Sequence, residues 1–258
     1  MFFDPEIYDL TQPGTFLGDI EWYQRKAAEY GGPVLELGAG TGRITIPIAK
    51  AGIQISAVEI DPAMVQKLQE KVDALGTGVS SHVKASVGDM RTFKLDERFA
   101  LIIIPFHAFL HNQTTEDQRQ CLQRIREHLR PGGVLAFNVA YPSLNYMSQH
   151  AGPLEGVWRW SQTEDLPDGS YAVYSEALRY DTVRQRVMPM IRTDFYSASG
   201  DFQRSKMCRL DLAYLYPADV TRLLQEANFE VIRMSGDYND GPLENSSNEL
   251  VIEARLSK

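Results

Sequence analysis

Two rhythms of apolar residues divide this chain. Between Pro33 and Ala140, short apolar runs alternate with stretches whose apolar residues return at helical spacing. The runs Pro33 to Leu37, Ile55 to Ile60, His82 to Asp89, Phe99 to Phe106 and Val134 to Ala140 read as strands. FALIIIPF is an uninterrupted run of the kind that a sheet covered on both faces buries. Between the runs, Met64, Val65, Leu68, Val72 and Leu75 mark one buried helix face, and Cys121, Leu122, Ile125 and Leu129 mark another. Local signals bound the helices. Asp61 before Pro62 reads as an N-cap, Thr115 and Gln118 have capping-box spacing, and Asp19 caps a helix stopped at Gly31 and Gly32. Pro47 falls near the start of a helix from about Gly42 to Ala51, where its missing N–H costs least. Repeated strand–helix–strand units predict an α/β protein with a doubly wound, mostly parallel sheet.

From about Ser143 the rhythm changes to long alternating runs, SYAVYSEALRY, RVMPMIRTDFY and KMCRLDLAYLY, joined by Gly, Asp and Ser turns. These predict an antiparallel sheet inserted between the fifth and sixth core strands, with Pro189 placing its strand at an edge or bulge. PADVTRLLQEAN returns to helix, and strands Phe229 to Ser235 and Glu249 to Arg255 follow. The chain thus divides into an N-terminal helical lid (1–32), a ligand-binding core (33–142), the inserted sheet (143–213) as substrate wall or dimer interface, and a C-terminal helix with strands completing the core sheet (214–258).

Charge and cysteine content narrow the partners. With 26 Lys and Arg against 34 Asp and Glu, the net charge of −8 disfavours nucleic acid and anionic membranes, whose binding needs net positive surface. The two cysteines, Cys121 and Cys208, form neither a CxxC nor a zinc-ligand spacing, which fits a reducing cytoplasm. No basic leader and no apolar stretch of spanning length is evident, so the expectation is a soluble cytoplasmic protein without membrane contact.

The stretch VLELGAGTGR, Val34 to Arg43, carries the chemistry. Gly38, Gly40 and Gly42 follow a strand and precede a helix, where bare backbone N–H groups admit a nucleotide-like ligand. The dinucleotide fingerprint G-x-G-x-x-G is not met, because Arg43 stands where the third glycine belongs. Glu36 beside the turn would repel a pyrophosphate and attract a ligand bearing an ammonium and a sulfonium. At these residues the sequence resembles the class I S-adenosylmethionine-dependent methyltransferases, over roughly Val34 to Val139, and among them the small-molecule enzymes acting on amino-sugar nucleotides and small amines. The resemblance implies a seven-stranded Rossmann-like fold and S-adenosyl-L-methionine as cofactor, with S-adenosyl-L-homocysteine as product. It maps Gly38, Ala39, Gly40 and Gly42 to the methionine moiety and Glu36 to its ammonium group. It also implies that Ile60 and Met64 pack on the adenine, that Asp89 and the Met90 N–H read its edges, and that Pro105 and Phe106 face the sulfonium. Glu59, roughly 20 residues beyond the loop, is placed for ribose hydroxyls in either nucleotide class. Met64 reads equally as core. Arg43 reads either as a ligand of the cofactor carboxylate or as a solvated helix start, and Tyr8 and Tyr23 are candidates for a lid over the cofactor.

Transfer of an activated methyl group needs alignment, exclusion of water and removal of a proton. His107 and His111 in PFHAFLH are the candidate bases, on one face if the segment is helical. No metal site is recognisable. The expected acceptor is a nitrogen or oxygen of a small molecule, and the resemblance allows a homodimer. Trp158, Trp160, Tyr171, Tyr174, Tyr180, Phe195 and Tyr196 either wall the acceptor pocket or pack the inserted sheet. A nicotinamide-dependent oxidoreductase and a non-catalytic nucleoside-binding module are the alternatives.

Overall fold

The computed structural model describes residues 4–11, 18–150 and 152–257, so parts of the 1–32 lid and one residue of the 143–213 insertion lie outside the described residues. Helices α1 (Pro5–Thr11) and α2 (Asp19–Tyr30) precede β1 (Val34–Leu37), α3 (Thr45–Lys50), β2 (Ile55–Glu59), α4 (Pro62–Ala74), α5 (Thr77–Ser80), β3 (Val83–Val87) and β4 (Phe99–Ile104). Then come α6 (Thr115–His128), β5 (Leu129–Ala140) and α7 (Leu144–Ser148). The insertion supplies β6 (Arg159–Asp165), β7 (Tyr171–Ala177), β8 (Tyr180–Asp181), β9 (Arg186–Val187), β10 (Met190–Tyr196), β11 (Phe202–Arg209) and β12 (Leu212–Ala213). Helix α8 (Pro217–Glu226) leads to β13 (Phe229–Ser235) and β14 (Glu249–Leu256).

Seven strands form the core sheet in the order β13-β14-β5-β4-β1-β2-β3. Strands β1 to β5 run parallel, and β14 alone is antiparallel to both of its neighbours. Strand alternation buries the two faces separately. Leu35, Leu37, Ile102 and Ile104 join Leu122, Ile125, Leu223 and Leu224 of α6 and α8 in one cluster. Val34, Leu101 and Ile103 join Trp22, Ala27 and Ile48 of α2 and α3 in the other. Helix α4 lays Leu68 and Val72 on Ala57 of β2.

The insertion is two sheets rather than one: β11-β10-β7-β6 and β12-β9-β8. Each long run in the sequence breaks between them, β7 from β8 at Leu178-Arg179 and β9 from β10 at Met188-Pro189. Pro189 marks that break. The strand after it, β10, lies between β7 and β11, so it is internal and not an edge.

Two helix starts differ from expectation. The capping box is Thr114 with Asp117: the Thr114 hydroxyl accepts the Asp117 N–H at 3.1 Å and the Asp117 carboxylate accepts the Thr114 N–H at 3.2 Å. Of two adjacent threonines, the one three residues before a carboxylate takes the cap, and Gln118 donates to the Asn112 carbonyl instead. Asp19 is the first residue of α2 rather than its cap, which is Gly18, because the Asp19 carboxylate is occupied by Arg43. Helix α3 also starts three residues later than the pattern suggested, since Gly42 has φ 91°.

That glycine is a packing requirement: a Cβ there would collide with Leu68 Cδ1. Gly52 has a similar φ of 79° with open space around it. Gly42→Ala should therefore lose about 2–5 kcal/mol, left-handed strain plus overpacking, against about 1–2 kcal/mol for Gly52→Ala. Equal midpoint shifts for the two variants in urea unfolding would contradict this packing.

Candidate functional site

The chain runs from β1 outward to β2 and β3, then crosses back to β4 and β5 on the other side, so the connections onward from β1 and β4 lead to opposite faces of the sheet and leave a crevice at the carboxyl ends of the strands. A cavity of about 890 Å³ occupies that crevice. Its lining includes the loops after all five parallel strands: Gly38 and Gly40, Glu59 to Asp61, Gly88 to Arg91, Pro105 to Ala108, and Ala140 to Pro142.

Backbone geometry shapes the first loop. Gly38 has φ 74°, and a Cβ there would meet Ala108 Cβ at 2.7 Å, so glycine lets the loops after β1 and β4 touch. The Glu59 carboxylate accepts the Gly40 N–H at 2.9 Å and the Asp61 N–H at 3.0 Å, tying the loops after β1 and β2 together. Tyr8 of α1 packs 3.5 Å from the Cβ position of Gly40 and lines the cavity. Beyond the glycines, Arg43 grips Asp19 with two nitrogens at 2.8 and 2.5 Å and stacks over Phe106 at 5.3 Å. Asp19 is fully buried and Arg43 keeps only 11 % exposure, so Arg43 is not a solvated helix start, and both its terminal nitrogens are taken by Asp19.

Glu36 departs from its expected place. On β1 it faces the same side as Val34, towards α3, where the Thr45 hydroxyl donates to it. It is 2 % exposed and does not line the cavity. Burial pushes its pKa up to about 8, against hydrogen bonding from Thr45 and the charge of Arg43. Ala39 and Gly42 likewise sit beneath the loop, packed around Leu68.

The remaining expected residues Tyr8, Gly38, Gly40, Glu59, Ile60, Met64, Asp89, Met90, Pro105, Phe106, His107 and His111 all line the one cavity. Ile60 is an exposed apolar side chain beside Met64, which is 5 % exposed and shared with the α4 face. Asp89 is held by Arg91, whose guanidinium keeps its carboxyl below the ordinary range, and Arg91 reaches on to Asp117 at 2.8 Å. Phe106 and His107 both have positive φ, 51° and 61°, a strained conformation for side chains of this size. Residues Ala108–His111 form a 3-10 turn, so the two histidines are not stacked on an α-helical face. His111 is open to the cavity, yet the protein packed around it lowers its pKa below 6.5. His107 Nε2 lies 2.9 Å from both Glu249 oxygens, and Asn138 donates to Glu249 at 2.9 Å. Tyr23, expected as a lid, is fully buried instead and donates to Asn138 at 3.0 Å.

Sequence reasoning missed Glu249, which starts the last strand and lies 142 positions from its histidine. Nothing local connects the two. Of the seven insertion aromatics, Tyr174 and Tyr180 line the cavity, and the others do not. Tyr141, Tyr146, Tyr214 and Glu176 line it without having been singled out. Among the described residues no cluster of three or more His, Cys, Asp or Glu is arranged for a metal ion, and no helix is long and apolar enough to cross a membrane.

Residues 34–133 match the family profile described as a methyltransferase domain. The chain is 28 % identical over 152 residues to a cypemycin N-terminal methyltransferase of Streptomyces sp, a match covering 54 % of this chain and 59 % of that protein. Its structure is similar to that of the CcbJ methyltransferase from Streptomyces caelestis, with TM-score 0.76 and 26 % identity over 93 % of this chain and 90 % of that one. The fold is shared with S-adenosylmethionine-bound CalS10, an amino pentose methyltransferase from Micromonospora echinaspora, with TM-score 0.72 and 18 % identity over 99 % and 98 % of the chains. Other relatives include a tRNA 5-carboxymethoxyuridine methyltransferase of Escherichia coli, 30 % identical over 52 % of this chain and 51 % of that one.

The raised Glu36 pKa has a testable consequence for stability. A carboxyl that titrates near 4.5 when unfolded and about 8 when folded holds its proton more tightly in the native state, so stability falls as pH rises through that window. Glu36→Gln should flatten the decline in unfolding free energy between pH 5 and 8, as read by denaturant titration, whereas parallel profiles for the two proteins would refute the assignment.

Proposed function

From residues 34–133, which form a class I S-adenosylmethionine-dependent methyltransferase domain, we propose that this enzyme moves a methyl group from S-adenosyl-L-methionine to a nitrogen or oxygen of a small-molecule acceptor. One observation carries the reading: the crevice at the strand ends holds a bare glycine loop, an exposed Ile60 beside Met64, and the carboxylates of Glu59 and Asp89 on either side. Those groups suit a nucleoside with a cationic tail, and among the described residues no cluster of basic side chains lines the loop to receive a diphosphate.

When bound, S-adenosylmethionine supplies an electrophilic methyl group on a sulfonium and leaves as the neutral thioether. In our assignment the chain does the rest. Glu59, already preoriented by two backbone N–H groups, accepts the ribose hydroxyls with its free lone pairs. Ile60 and Met64 cover the adenine, while Asp89 and the Met90 N–H read its edge. Gly38 and Gly40 border the methionine moiety under Tyr8, and Glu36, Ala39 and Gly42 support that loop from below. Pro105 and Phe106 line the reacting end. Glu249 accepts from His107 Nε2, which leaves Nδ1 as the basic nitrogen, and His111 stays neutral near pH 7. Either imidazole can take the acceptor's proton.

The rest of the chain suits this role in our reading. Segment 1–32 supplies Tyr8 as a cover, 33–142 binds the cofactor, 143–213 walls the acceptor side, and 214–258 closes the sheet and delivers Glu249. The charge of −8 supports a small acceptor over a nucleic acid or a membrane surface. A cytoplasmic location fits the sparse, motif-free cysteines. A homodimer fits the exposed Trp160 and Phe202 on the outer strands of the inserted four-stranded sheet.

Glu59→Ala and Asp89→Ala should each weaken S-adenosylmethionine binding by about 1–3 kcal/mol in calorimetry, through loss of half-buried acceptors that line the cavity. Preference for NAD(H) over S-adenosylmethionine would overturn the reading. Release of S-adenosylhomocysteine across a panel of amines, phenols and carboxylates tests turnover. With a competent acceptor, His107→Ala and His111→Ala should lower kcat more than cofactor affinity, and an unchanged kcat in both would remove them as bases.

A further inference from the structure

The acceptor side of the cavity contains a carboxylate without a partner. Glu176, on β7, lines the cavity half-buried, and no hydrogen bond or ion pair reaches its carboxylate among the described residues. Its cross-strand neighbour Arg159 is committed elsewhere, to His150 Nε2 at 2.9 Å and to the Gln149 carbonyl. Of the other charges at this end, Asp211 pairs with Arg186 at 2.5 Å and Arg209 is exposed. Aromatic rings share the chamber: Tyr146, Tyr180 and Tyr214 line it, with Tyr180 and Tyr214 in edge contact at 6.1 Å. The negative charge of Glu176 adds to burial in raising the pKa of both Tyr146 and Tyr180, so it bears on the space between them, and their phenols stay neutral at physiological pH.

We propose that Glu176 is the subsite for an ammonium group of the acceptor, which makes the substrate an amine-bearing small molecule. A half-buried carboxylate with unfilled acceptor capacity favours a cation, which neutralises it and donates to it. Electron-rich tyrosine faces add to the same preference. A neutral hydroxyl satisfies only part of this demand, and an anion is repelled. The inference rests on the methyl-transfer reading and narrows it. Glu176 binds and orients; it takes no part in the transfer step.

The test uses the intact protein saturated with S-adenosylhomocysteine and three probes of one skeleton: benzylamine, benzyl alcohol and benzoate at pH 7. Calorimetry should show benzylamine binding at least ten-fold more tightly than benzyl alcohol and no binding of benzoate. Glu176→Gln should abolish that preference while leaving S-adenosylhomocysteine affinity and the unfolding temperature unchanged. Glu176→Asp should keep part of it, and Glu70→Gln, on the exposed face of α4, should keep all of it. Absence of an amine preference in the unaltered protein, or its persistence in Glu176→Gln, overturns the subsite while leaving the transferase reading in place. Failure to bind S-adenosylhomocysteine at all overturns both.

Discussion

A single buried guanidinium holds the site together. Arg43 forks onto Asp19 at the start of α2, follows directly on the glycine loop after β1, and stacks on Phe106 in the loop after β4. Three segments distant in sequence meet on one side chain. Because neither partner of the ion pair reaches solvent freely, separating them would strand an uncompensated charge at a cost of about 3–5 kcal/mol. The loops after β1 and β4 are therefore fixed from behind, while Gly38, Gly40, Glu59, Asp89 and the two histidines face the cavity.

This division of labour explains which parts of the site were legible in the sequence. Gly38, Gly40, Glu59, Asp89 and Phe106 lie at strand ends, and strand ends are where apolar periodicity stops, so their shared location follows from a correct count of strands. Glu36 lies outside the cavity lining because the same alternation that marks a strand also sends every second side chain to the other face. Proximity in sequence to the glycines said nothing of which face it took. Asp19 was read as a cap and Arg43 as a ligand of the cofactor carboxylate or a solvated helix start, since a pairing across 24 positions leaves no local trace.

The insertion was legible as antiparallel, whereas its division into two sheets was not. Its long runs were recognised, but their breaks at Leu178-Arg179 and Met188-Pro189 split one predicted sheet into two. With the split, residues of both sheets reach the cavity: Tyr174 and Glu176 from one, Tyr180 and Val187 from the other. Aromatic content alone pointed equally to Trp160, whose ring is largely exposed, and to Tyr180, which lines the chamber.

The position of β14 bears on how the molecule comes into being. It is the last strand of the sheet in sequence, yet it lies inside the sheet, and β13 pairs with β14 alone. A chain emerging from the ribosome thus has the glycines and carboxylates of the strand-end crevice available before it has Glu249, which pairs with His107. Synthesis delivers the strand-end loops first and the histidine's carboxylate partner last.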